Sequence, residues 1–95
     1  PAPIAEQLRT TPIPGGEAVL KVTFKGVNAG EPVLSRLSQT IGVDVNILAG
    51  RIDQIAGQPF GVMLIAVTAS EPKLGAAVAA LRRLDLDVEA LGYVP

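Results

Sequence analysis

Asn46, set within the apolar alternation Val43-Asp44-Val45-Asn46-Ile47-Leu48, is the residue whose type and position most invite chemistry. Asparagine is depleted in strands because its amide competes for backbone hydrogen bonds. One amide offers both a donor and an acceptor, a pairing that suits the carboxylate and ammonium of an amino-acid ligand. The plainer account is an edge-strand asparagine exposed to water, and the pattern by itself leans that way.

The other candidates carry less. Asp85, Asp87 and Glu89 alternate along an expected strand, which lines them on one acidic face where they repel one another. Calcium takes about six to eight oxygen ligands, more than one short row provides, so a solvated or salt-bridging face is the better reading. Arg82 and Arg83 are accounted for by the negative end of a helix. The loop Lys25-Gly26-Val27-Asn28-Ala29-Gly30 has no Arg and no phosphate-loop signature, so acyl-phosphate hydrolysis lacks its cradle. Its glycines simply permit a turn.

Absences are as informative. Without Cys there is no disulfide framework, thiolate metal site, Cys nucleophile or paired-thiol copper site. Without His, the commonest general base and transition-metal ligand is missing. A formal net charge of −1 gives no basic footprint for nucleic acid. An RNA-stacking sheet would need central aromatics, and only Phe24 and Phe60 are on offer, beside an acidic fourth strand. These residues point to a non-catalytic regulatory module that binds no nucleic acid.

The elements that must position Asn46 follow from periodicity. Residues 18–25 alternate Leu20, Val22 and Phe24 against Lys21, Thr23 and Lys25, a half-buried strand. After a loop over 26–30, Pro32 opens a helix carried by Val33, Leu37 and Ile41 and closed by Gly42. Val43, Val45 and Ile47 start a second strand, and the apolar phase slips to Ile52, which predicts a bulge at Ala49-Gly50. Gly57-Gln58-Pro59 turns the chain into a third strand, 60–68, apolar on both faces and so in need of cover on both. Ser70 is the expected N-cap of a second helix with stripe Leu74, Ala77, Val78 and Leu81. Leu86, Val88 and Ala90 mark the fourth strand.

Strand-helix-strand-strand-helix-strand is the split βαβ order of an α+β ferredoxin-like sandwich, a four-stranded antiparallel sheet with two helices on one face. At 95 residues and 48% hydrophobic, with mean hydropathy +0.42, the chain has material for one core. An aromatic share of 3% means that core is aliphatic. No apolar run reaches the roughly 18 residues that span a bilayer. Residues 1–17, rich in proline and ending in Pro14-Gly15-Gly16, read as a linker or N-terminal extension that Ile4, Leu8 and Ile13 could anchor, and 18–95 as the domain. A start at Pro1 without Met fits a segment of a longer polypeptide, and initiator Met removal would look the same.

The segment around Asn46-Ile47-Leu48 resembles the signature of the NIL domain, which takes its name from that triplet. Further matches follow in order: Gly50, Ile52-Asp53, Gly57, Pro59-Phe60-Gly61, Val88-Glu89 and Leu91-Gly92-Tyr93-Val94, with Leu20 through Gly26 like the family's opening strand. The resemblance runs over residues 18–94. It implies an ACT-like ferredoxin fold, homodimerisation, and binding of L-methionine as a feedback signal in the ATP-binding subunit of a bacterial methionine ABC importer. ATP and Mg are then expected only in the separate ATPase domain. The partners implied are that domain and the permease subunits, on the inner face of the cell membrane. Among site residues it implies Asn46 with Ile47 and Leu48. Phe60, Gly61 and Met63 are expected, from strand adjacency, as an apolar wall for the thioether. A purely structural dimerisation module without a ligand is the alternative.

Overall fold

The computed structural model describes residues 7–25, 35–36, 38–39 and 42–95. Strand β1 spans Glu17–Lys25, β2 Asn46–Ile55, β3 Gln58–Thr68, helix α1 Lys73–Arg83, and β4 Asp87–Val94. The strands form one sheet in the order β2-β3-β1-β4, every neighbouring pair antiparallel. β3 and β4 are thus joined by a helical crossover with β1 between them, the split arrangement of the ferredoxin-like α+β fold. The expected loop over 26–30 lies outside the described residues, as does most of the expected helix over 32–41. Within that helix Ser35, Arg36, Ser38 and Gln39 have helical backbone. Gly42 closes it as a helix-ending glycine should: its N–H donates to the Ser38 carbonyl at 2.9 Å and its φ is +73°.

The core lies between the sheet and α1. Leu20, Val22 and Phe24 from β1 meet Ile65 and Val67 from β3 and Ala77 and Leu81 from α1. Leu74 and Val78 fill out the helix stripe as half-buried neighbours. Full burial of a side chain such as Leu81 contributes about 1.5–3 kcal/mol. The opposite face of β1 and β3 is not bare, because Val19 and its partner Ala66 are also buried.

Three local expectations shift. Ser70 is not the cap of α1, which starts at Lys73 after Pro72 with no side-chain cap. The Glu71 carboxylate instead accepts from the Gly75 N–H at 2.7 Å, because its longer side chain reaches the first turn that Ser70 is too far back to cap. The hairpin between β2 and β3 turns on Ala56 (φ +52°) and Gly57 (φ +79°), with Ile55 paired to Gln58, rather than on residues 57–59. Two left-handed residues match the twist of the flanking strands, which frees Gln58 and Pro59 to join β3. Asp85 leaves the acidic row: it sits before β4 at φ +60°, so only Asp87 and Glu89 line the strand.

Candidate functional site

The register across β2 decides what Asn46 can reach. Asn46 faces Ala66 and Ile47 faces Ile65, but Ala49 faces Leu64, so Leu48 is the extra residue of a bulge. The bulge falls one residue before the expected Ala49-Gly50, and its consequence is the expected one. Side chains alternate strictly along a strand, so one inserted residue exchanges faces for all that follow. Gly50 and Ile52 thereby join Ile47 on the α1 face, while Asn46, Ala49 and Arg51 share the other. Asn46 is the first residue of β2 rather than a mid-strand position, and it is exposed.

Its partner is Glu17, the first residue of β1, two strands away. Asn46 Nδ2 donates to Glu17 Oε2 at 3.0 Å. By register both side chains lie on the face opposite α1, with Ala66 and Thr68 of β3 between their strands. A side chain as short as Ala66 leaves room for the bridge to pass over β3. A carboxylate can only accept, so Glu17 also fixes which end of the Asn46 amide faces it. Among the described residues, no hydrogen bond engages the amide oxygen or the second carboxylate oxygen.

Glu17 connects this pair to a cleft of about 470 Å³ at the end of the sheet, whose lining also includes Gly16, Asp44, Thr68, Glu71 and Lys73. Further along the same face an apolar position follows, beyond wholly buried residues. Leu64, half-buried, faces Ala49, and it sits beside the buried pair Val19 and Ala66. Nothing singled out Glu17 in the sequence. Its only signal is its phase with Val19 and Lys21, which becomes informative once β3 is known to separate β1 from β2.

The remaining expected site residues do not gather here. Leu48, in the bulge beside Asn46, is 40% exposed, and Ile47 is 55% exposed on the α1 side of the edge strand. Phe60 faces Asp53 and Lys25, six residues along β3 from Ala66, or about 20 Å. Gly61 lies on the α1 side beneath the Phe24 ring, and Met63 packs against the core from that same side. An apolar wall of Phe60, Gly61 and Met63 beside Asn46 is therefore not formed within one chain. β3 does pair with β2, as the expected adjacency requires, but Phe60, Gly61 and Met63 face Asp53, Ile52 and Gly50 rather than Asn46.

The residues expected as a linker are partly built into the fold. Arg9 and Tyr93 form a reciprocal backbone bridge, with N–H to O distances of 2.8 and 2.9 Å, on the outer edge of β4. Gly92 (φ +153°) permits the approach, since a Cβ there would sit 2.8 Å from the Arg9 carbonyl and 3.1 Å from the Leu8 Cβ. No helix among the described residues is long and apolar enough to cross a membrane.

Residues 18–90 match the family model of the NIL domain. The chain is 49% identical over 88 residues to the methionine import ATP-binding protein MetN of Rhodopseudomonas palustris (strain BisB5), covering 93% of this chain and 24% of that protein. It is 38% identical over 94 residues to the protein of the same name from Bradyrhizobium diazoefficiens, covering 99% and 27%. The chain thus spans about a quarter of the length of these curated relatives. The crystal structure of the C-terminal domain of an ABC transporter ATP-binding protein from Enterococcus faecalis superimposes with TM-score 0.69 at 28% identity, covering 82% of this chain and 87% of that one. A prephenate dehydratase from Staphylococcus aureus, at TM-score 0.50 and 13% identity, shares the fold alone.

Proposed function

The chain belongs to the NIL domain family, and from that premise we propose that it is the methionine-sensing regulatory domain of an importer's ATP-binding subunit. The observation that carries this reading is the likeness, over nearly the whole chain, to proteins named for methionine import. The site geometry is in keeping with it. The Asn46–Glu17 pair offers acceptors for an ammonium, and the sheet face beside it offers apolar surface for a thioether chain. Catalysis belongs to the ATPase domain of such a subunit, which works at the inner face of the cell membrane beside its permease.

The active form on this reading is a homodimer. Val62 and Leu64 leave apolar surface on the face away from α1, half-buried in the single chain, which a second sheet would cover. Methionine bound at or near that contact favours one placement of the two domains. That placement holds the attached ATPase domains apart and slows import when methionine is plentiful. The coupling is reciprocal: ATP-driven closure must weaken methionine binding by the same factor.

Calorimetry with L-methionine, leucine and norleucine tests the proposal. The expected result is saturable binding that prefers methionine and is lost in Asn46→Ala. No binding at millimolar methionine would instead leave a structural dimerisation module.

A further inference from the structure

We infer that Glu17 determines the ligand class at this site, recognising the α-ammonium group and thereby restricting the site to free amino acids. The inference rests on the reading of Asn46 as a ligand contact and adds a residue and a selectivity to it.

Three observations meet at Glu17. Its Oε2 accepts a hydrogen bond from Asn46 Nδ2 at 3.0 Å, which orients the amide and leaves Asn46 Oδ1 facing away from the carboxylate. It lines the cleft of about 470 Å³ at the end of the sheet, a space large enough for an amino acid. It is half-buried at the first position of β1, held by pairing with both Thr68 and Val94, and so is presented from a fixed backbone.

An ammonium carries several donors and no acceptor. Glu17 Oε1 is an acceptor on a charged group, and hydrogen bonds to charged groups are the stronger kind. Lys73 on the cleft lining supplies the opposite charge for the ligand carboxylate. Of the other two acids on the lining, Glu71 is already engaged by the Gly75 N–H, and Asp44 is exposed and is not the acid bonded to Asn46. A carboxylic acid that lacks the amino group leaves Glu17 facing the ligand with no proton to accept. The site therefore discriminates by charge at the α-carbon, independently of the side chain that enters the apolar part.

The test is calorimetry on the wild-type chain and on Glu17→Gln with two ligands, L-methionine and γ-methylthiobutyrate, its analogue without the amino group. The amide introduced by Glu17→Gln can still accept from Asn46 Nδ2 but carries no negative charge, so the fold and the Asn46 orientation are retained. The expected result is a loss of at least tenfold in methionine affinity, with the affinity for γ-methylthiobutyrate unchanged or raised. Glu17→Asp, which keeps the charge on a shorter arm, should fall between. Methionine affinity unaltered in Glu17→Gln, or an equal loss for both ligands, overturns the inference while leaving methionine sensing intact. A wild-type chain that binds neither ligand removes the underlying reading and the inference with it.

Discussion

Asn46 and Glu17 sit on strands that share no backbone hydrogen bond, yet their side chains meet at 3.0 Å across β3. The bond ties the start of edge strand β2 to the start of central strand β1. Replacing Asn46 by Asp puts a second carboxylate beside Glu17, whereas Ala merely removes the donor. Asn46→Asp should therefore be less stable than Asn46→Ala by a few tenths to about 1 kcal/mol, the range of exposed ion pairs with the sign reversed. Urea denaturation at low and high salt checks this. The gap should narrow as salt screens the repulsion.

Phe24 lies over Gly61, its cross-strand partner, and a Cβ on residue 61 would run into the ring. Phe24 is 2% exposed, so the ring has nowhere to go without disturbing the core. Gly61→Ala should cost about 1–3 kcal/mol, the usual penalty of overpacking. Phe24→Leu in the same chain should recover part of that loss although each change alone destabilises. A double-mutant cycle by thermal unfolding reads the coupling.

At the β2–β3 hairpin, Ala56 holds a left-handed φ of +52° that Asn or Gly adopts at less cost. Ala56→Asn creates the Asn-Gly pair favoured in two-residue hairpin turns. It should stabilise the domain by roughly 0.5–1 kcal/mol, seen as a higher denaturant midpoint with an unchanged slope.

Among the described residues, the Arg9–Tyr93 bridge extends the sheet beyond β4 by a single pair. Deleting residues 1–10 should leave the domain folded, because the described core is drawn from residues 18–86. Amide hydrogen exchange should then report loss of protection at the Tyr93 N–H, which donates to the Arg9 carbonyl. Protection at the β1–β3 ladder should stay as it was.

Much of the fold was legible because it rests on local periodicity. The alternation of Leu20, Val22 and Phe24 against Lys21 and Thr23 appears as a strand with the first set buried. Ala77 and Leu81 are buried on the helix stripe that their spacing requires. The phase slip near Gly50 announced a bulge, although the slip alone could not say which residue is the extra one. That choice, Leu48, depends on which β2 amides find partners on β3. The shift of the hairpin to Ala56-Gly57 has the same origin, since strand pairing on both sides outweighed the turn preference of Gln58-Pro59.

The site divides along the same line. Sequence by itself determined the class of the protein: no His or Cys to work with, a domain-long resemblance, and one asparagine out of place in an apolar strand. Only the tertiary structure decided the company that asparagine keeps. Glu17 is 29 positions away in the chain and becomes its neighbour because β3 inserts between β1 and β2 with small Ala66 at the crossing point. Phe60 and Met63, nearer in sequence, are placed elsewhere by register and by the strict alternation of faces. Periodicity is a property of a segment and can be read from it, whereas proximity across a sheet depends on strand order and register, which arise when the whole core assembles.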